Sequence, residues 1–283
     1  MAENCVEHDH SNCGSLPECE HCGSNPKNKQ AEPQFNTPEN HIKQVIGVVS
    51  GKGGVGKSMT TAMLAVEYAR RGLKVGILDA DITGPSIPRM FGIRGRAMAS
   101  ENGIMPRETE TGIKIMSVNL LLDNEDTPVI WRGPILSGVI NQFWTEVDWG
   151  DLDVLFVDCP PGTGDVPLTV FQSLPLSGVV IVTSPQELVG MIVRKAYNMA
   201  AQMDVKVLGI VENMSYIRCP DCGKEIYLFG QGETQANAEE MGVPFLGKVP
   251  VTPLVAQLSD HGCIESVEEP AYTDIAEQLI NRE

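Results

Sequence analysis

The chain has 283 residues, 42% of them hydrophobic, and a formal net charge of −16. This is enough apolar material for a full core, arranged as one large α/β domain or two smaller ones. The acidic balance repels phosphate backbones, which argues against a broad nucleic-acid face, and no apolar run reaches the ~18 residues of a membrane span. The first residues lack the basic, apolar and small-residue pattern of a secretory signal, so the expectation is a soluble cytoplasmic protein with neither membrane nor nucleic acid as partner.

Residues 1–40 read as a separate tail, rich in Asn, Glu, Pro, Ser and His and without aliphatic periodicity. Such a stretch cannot bury enough apolar surface to fold alone, although a metal could order it. Four of the eight cysteines crowd into it, Cys5, Cys13, Cys19 and Cys22, with His8, His10 and His21 among them. From His41 onward, short β-branched runs alternate with helical stretches, and residues 41–283 read as one domain. The spacing predicts strands at Val45–Ser50, Lys74–Leu78, Leu152–Val157, Val179–Thr183, Val207–Val211 and Phe245–Val249. Helices are expected at Ser58–Arg71, stopped by Gly72, and near Pro134–Val147, Glu187–Met203 and Glu233–Met241. Residues 92–130 fit the alternation poorly and suggest a small hairpin insertion. The fold class is α/β, a doubly wound, mostly parallel sheet with helices on both faces and ligands at the carboxyl ends of the strands.

The strongest local signal is Gly51-Lys52-Gly53-Gly54-Val55-Gly56-Lys57-Ser58, which matches G-x-x-x-x-G-K-[ST] between a strand and a helix. Glycines let successive backbone N–H groups turn inward around a phosphate, and the helix N-terminus adds partial positive charge. Lys57 is expected at the β- and γ-phosphates and the Ser58 hydroxyl on Mg²⁺. Gly53, Gly54, Val55, Gly56, Lys57, Ser58 and Met59 form the expected ATP-binding run; a glycine-rich turn without ligand is the alternative.

Carboxylates follow at strand ends. Val154–Val157 delivers Asp158 to the place of a magnesium-shell aspartate, and Pro160-Pro161-Gly162-Thr163-Gly164-Asp165 then reads as a loop able to sense a γ-phosphate through a glycine N–H. Asp165, before Val166-Pro167, suits a helix N-cap. Asp79 and Asp81 close the second strand; one could orient the attacking water while the other supports Mg²⁺. Asn213 ends a further strand with a donor and an acceptor that suit an adenine edge, or simply a turn.

Cys219-Pro220-Asp221-Cys222-Gly223 is half of a metal site. The missing ligands could come from a second copy, from the tail, or from nowhere. Two copies about a two-fold axis would supply four thiolates, which accept a [4Fe–4S] cluster or zinc equally well. Cys159 reads as a small buried residue and Cys263 as structural. No chemical role follows for Arg132 in WRGP, which reads as a structural ion pair.

The loop GKGGVGKS resembles the deviant P-loop of the MinD/ParA, nitrogenase iron protein and Mrp group. That resemblance implies that Lys52 crosses a dimer interface to the partner's nucleotide, that the chain forms an ATP-dependent homodimer, that Asp81 positions water, and that Asn213 binds the base. The ordered set GKGGVGKS, DADITGPSIP, WRGP, DCPPGTGD, ENMSY and CPDCG, from His41 to the C-terminus, further resembles the Mrp/ApbC-type iron–sulfur cluster carrier ATPases. It implies transient assembly of a [4Fe–4S] cluster bridged by Cys219 and Cys222 of two protomers, and its transfer to apo iron–sulfur proteins. The tail resembles that of the eukaryotic cytosolic scaffold relatives, although its C-x7-C-x5-C-x2-C spacing departs from theirs. A second [4Fe–4S] cluster, zinc, or no metal at all are the readings it leaves.

Overall fold

The computed structural model describes residues 40–81, 84–101, 103–121, 133–186 and 189–282. Strands β1 (His41–Val49), β2 (Val75–Asp79), β3 (Met98–Ser100), β4 (Gly103–Met105), β5 (Arg107–Glu108), β6 (Lys114–Ser117), β7 (Asp151–Asp158), β8 (Gly178–Thr183), β9 (Val207–Glu212), β10 (Ile217–Arg218), β11 (Glu225–Ile226) and β12 (Phe245–Lys248) alternate with helices. These are α1 (Lys57–Arg70), α2 (Ile87–Met90), α3 (Gly133–Thr145), α4 (Asp165–Ser173), α5 (Val189–Gln202), α6 (Thr234–Glu240), α7 (Pro253–Asp260) and α8 (Pro270–Ile280).

Eight strands make one sheet in the order β12-β9-β8-β1-β7-β2-β6-β5, parallel except where the short edge strand β5 runs antiparallel to β6. Buried parallel strands need apolar residues on both faces. β1 supplies them by alternation: Val45 and Val49 face a core with Phe143, Trp144, Phe171 and Val193, while Ile46 and Val48 face a second core with Leu64, Tyr68, Ile275 and Leu279. Thus α3, α4, α5 and α6 cover one face, and α1, α2 and α8 the other.

The expected strands are all present. The region expected to hold a hairpin insertion contains the β3–β4 pair, and β6 beyond it joins the main sheet alongside β2. Helix α4 starts at Asp165 with Gly164 in the N-cap place, so Asp165 is its first residue and not its cap. Among the described residues no helix is long and apolar enough to cross a membrane. The tail cysteines Cys5, Cys13, Cys19 and Cys22, and Arg132 in WRGP, lie outside the described residues.

Candidate functional site

The strand order reverses at β1, which has β7 on one side and β8 on the other. Connections leave a doubly wound sheet to opposite faces at such a point, and a crevice opens at the strand ends. The glycine-rich loop fills that place. Gly54 and Gly56 adopt φ +79° and +78°, which a side chain would strain. At Gly56 the space is also taken, since an added Cβ would lie 2.1 Å from Asn213 Nδ2.

Register then gathers the charges. Asp79 at the end of β2 pairs with Asp158 at the end of β7, and Asp158 pairs with Val48 of β1. Lys57 Nζ lies 2.6 Å from Asp158 Oδ1 and 3.7 Å from Asp81 Oδ2. Ser58 Oγ donates to Asp158 Oδ2 at 2.5 Å and Thr61 Oγ1 to Oδ1 at 3.0 Å. Burial disfavours the Lys57 cation, but Asp158 and then Asp81 outweigh it and hold the group above its ordinary value. Lys57 thus lies against two carboxylates, and Asp158 also takes the Ser58 and Thr61 hydroxyls, so hard oxygen atoms gather at one place.

The two aspartates of D-x-D part company. Asp79 is fully buried and accepts the N–H groups of Asp81, Ser86 and Ile87, which pins the chain entering α2. Burial first, and the Asp158 carboxylate next, push its carboxyl well above the usual range. Asp81 borders the cleft instead.

The cleft encloses about 440 Å³ and takes in Gly53, Gly54, Gly56, Lys57, Ser58, Met59, Asp81 and Asn213. Asn213 Nδ2 donates to the Val55 carbonyl at 2.9 Å, so this asparagine is tied to the phosphate loop. No motif in the sequence marks the opposite wall of the cleft. It consists of Val249, Pro250, Val251 and Thr252 after β12, with Val255 and Ala256 of α7 and Tyr272 of α8. Pro253 and Pro270 at the helix starts were the available signal, since proline favours the first helical turn.

Lys52 Nζ donates to Gln186 Oε1, in the segment that follows β8. Gly162, at φ +100°, donates its N–H to Ser50 O at 2.8 Å, so the loop after β7 is docked on the start of the phosphate loop. A glycine N–H in that loop therefore has a protein acceptor that a γ-phosphate would have to replace.

Cys219 and Cys222 occupy the turn of the β10–β11 hairpin, with Cys222 exposed. Cys219 N–H donates to Lys224 O and Gly223 N–H to Cys219 O, each at 2.9 Å. The Cys222 N–H, then the Asp221 N–H, then the Cys222 side chain hold the Cys219 thiol below its ordinary value, as hydrogen bonds to a thiolate do. No group of three or more His, Cys, Asp or Glu side chains able to hold a metal occurs among the described residues, so one chain's hairpin offers two thiols.

Cys159 is fully buried directly after β7, its N–H on Val48 O of β1, and burial pushes its thiol up to about 12. Cys263 is exposed after α7, where its Sγ lies 3.6 Å from the His261 carbonyl and its N–H donates to Leu258 O at 2.8 Å.

Comparison with known proteins follows the same division. A family model described as ParA: NUBPL iron-transfer P-loop NTPase matches residues 41–281. An iron-sulfur cluster carrier protein of Clostridium perfringens is 45% identical over 281 residues, 94% of this chain and 99% of that protein. One from Saccharolobus solfataricus is 50% identical over 224 residues, 78% of this chain and 76% of that protein. A nucleotide-binding protein of Archaeoglobus fulgidus, solved in complex with ADP, superposes with a TM-score of 0.75 at 46% identity, covering 82% of this chain and 91% of that one. The cell division ATPase MinD of Pyrococcus furiosus shares the fold at 21% identity, with a TM-score of 0.62 over 85% of this chain and all of that one. With the phosphate loop, strand-end carboxylates and sheet order in place, the chain belongs to the NUBPL iron-transfer P-loop NTPase family.

Proposed function

We propose that this protein is an ATP-hydrolysing carrier that assembles a [4Fe–4S] cluster transiently and passes it to apo iron–sulfur proteins. The observation that carries the reading is the presence in one chain of a phosphate-loop cleft and an exposed hairpin with two thiols. The relatives named as iron-sulfur cluster carrier proteins support it.

In the cleft, Lys57 leaves Asp158 to bind the β- and γ-phosphates, and the N–H groups of the loop from Gly53 to Ser58 cradle them. Asn213 keeps its Oδ1 for an adenine amino group while its Nδ2 holds Val55. Met59 and the Val249–Ala256 wall exclude water from the base. Asp81, beside Lys57 and facing the cleft, orients the attacking water. Mg²⁺ fits the donor set, because hard oxygen ligands and surplus carboxylate charge meet there; Ser58 and Asp158 would hold it, and when bound it neutralises phosphate charge.

Lys52, bonded to Gln186 within its own chain, reaches the nucleotide of a second copy in a homodimer. The same two-fold arrangement brings two Cys219–Cys222 pairs together as four thiolates. Cys5, Cys13, Cys19 and Cys22 in residues 1–40 form a second site for a [4Fe–4S] cluster or zinc. The protein acts in the cytoplasm, with neither nucleic acid nor membrane as partner.

Anaerobic purification with iron, sulfide and zinc analysis tests the reading on wild type and on Cys219→Ala/Cys222→Ala. Brown protein whose iron and sulfide fall in the double variant is the expected result. Stoichiometric zinc without sulfide would sink the carrier reading and leave an ATPase with a structural metal clip.

A further inference from the structure

Cys219 follows Asn213 by six positions (213 to 219), so the chain that leaves β9 beside the phosphate loop runs almost at once into the cysteine hairpin. The backbone between them is bonded to the wall of the nucleotide cleft. Val249 donates to Glu212 O at 2.8 Å, Ser215 donates to Val249 O at 2.9 Å, and Val251 donates to Tyr216 O at 2.8 Å. Displacing Val249–Val251 therefore displaces residues 212–216.

A second connection runs through side chains. The Glu212 carboxylate is fully buried; Oε1 accepts from Ser215 Oγ at 2.5 Å and faces Lys248 Nζ at 3.9 Å. Its Oε2 has no hydrogen-bond partner among the described residues, an uncommon state for a buried acceptor. Lys248 Nζ also lies 5.6 Å over the centre of the Tyr227 ring. Tyr227 meets Tyr216 with ring centres 5.8 Å apart, and the Arg218 guanidinium covers Tyr216 from 5.6 Å. Tyr216 enters β10 and Tyr227 leaves β11, so the two rings close the base of the hairpin that carries both cysteines.

A two-stranded ribbon of this length does not hold itself in place. The ring pair anchors it, and Lys248 links the ring pair to Glu212, the residue next to the asparagine that grips the phosphate loop. We propose that Glu212 and Lys248 are positioning residues that pass the nucleotide state of the cleft to Cys219 and Cys222. The inference rests on the cleft being an ATP site and the hairpin a metal-thiolate site. A nucleotide in the cleft meets Asn213 and the Val249–Val251 strip, and either contact moves the end of β9. Lys248, held between a carboxylate and an aromatic face, transfers that shift to Tyr227 and thus to both strands. A packed, bonded network of this kind settles in discrete arrangements, which lets a small movement at one end reset the other.

The test measures iodoacetamide alkylation of Cys219 and Cys222, read by mass spectrometry on the full chain after reduction and removal of thiol-bound metal. Rates are taken without nucleotide, with ADP and with Mg-ATP, and nucleotide binding is measured in parallel. In wild type, nucleotide is expected to change the rates about fivefold. Lys248→Met and Glu212→Gln are expected to bind nucleotide within about twofold of wild type but to lose that response, and Lys248→Arg to restore it. A merely structural role would change the rates in every state and leave their ratio intact. If Glu212→Gln fails to fold, Lys248→Met decides, since its side chain is already 29% exposed. A full nucleotide response in Lys248→Met would overturn the inference. So would wild-type thiols that ignore a bound nucleotide, which would leave the carrier reading standing. Failure of wild type to bind nucleotide at all would remove the reading of the cleft and the inference with it.

Discussion

The phosphate end of the sheet and the cysteine hairpin solve opposite problems. Around Lys57 every functional group is held from several sides: Asp158 is fully buried, Lys57 is 6% exposed, and strand register puts Asp79 beside Asp158. The hairpin has two strands of two residues each and an exposed thiol, and it is anchored at its base through Tyr216 and Tyr227. Catalytic groups need a geometry maintained by the core, because small misplacements cost much of the rate. A group that takes up and surrenders a cargo, as proposed for the two thiols, needs access to solvent and to a second protein. Changes at the phosphate end should therefore cost fold and activity together, and changes at the hairpin should cost cargo alone.

The sharpest way to break that contrast is Lys57→Met. It removes the cation drawn to Asp79, Asp81 and Asp158 and leaves buried carboxylates without it. ATP hydrolysis, followed as phosphate release, is expected to fall at least ~100-fold, and denaturant unfolding to show a loss of about 3 kcal/mol. Asp81→Asn separates chemistry from folding on the same side of the comparison. Hydrolysis should drop about 100-fold while nucleotide binding and the unfolding midpoint stay near wild type, because Asp81 borders the cleft and does not pin α2. If Asp81→Asn instead destabilises the fold as Lys57→Met does, its assignment to the water is wrong.

A smaller effect is expected for Gly56→Ala. The new Cβ adds a left-handed strain of about 1–2 kcal/mol and displaces the Asn213 amide from Val55. Thermal melting reads the first effect and a weaker affinity for ATP the second. Cys219→Ser/Cys222→Ser should do the reverse, abolishing thiol-bound metal while shifting stability by less than about 0.5 kcal/mol in the metal-free protein.

The pH dependence of alkylation sharpens the contrast further. A thiol whose value is lowered loses its proton earlier, so the Cys219 rate should rise through an inflection below that of an ordinary cysteine peptide. Cys159, pushed up to about 12, stays a neutral thiol and should resist alkylation through about pH 9 in the folded chain. Reactive Cys159 under native conditions would mean that the phosphate end opens as readily as the hairpin.

Much of this was legible in advance because the signals are local. The phosphate loop announces itself through glycines that only a tight, inward-turned backbone requires, and β1, β2, β7, β8 and β9 through short β-branched runs. The C-terminal wall of the cleft was not legible because α7 and α8 are short helices whose apolar residues serve different neighbours. Pro253 and Pro270 marked their starts, but nothing local says that Val251, Val255 and Tyr272 return to a loop far earlier in the chain. The strand β6 was hidden for a related reason, being four residues long and stabilised by pairing with β2.

The sequence by itself determined the phosphate loop, the alternating α/β class, the carboxylates at strand ends and the two-thiol motif, since each depends on residue types at fixed short spacing. Tertiary structure decided what those residues do relative to one another. Parallel register set Asp79 beside Asp158, burial turned Asp79 inward to pin α2 and left Asp81 at the cleft, and the pairing of residues 212–216 with 249–251 rooted the cysteine hairpin in the cleft's wall. Those are contacts between segments far apart along the chain, and their energies come from packing and desolvation that no single stretch of sequence contains.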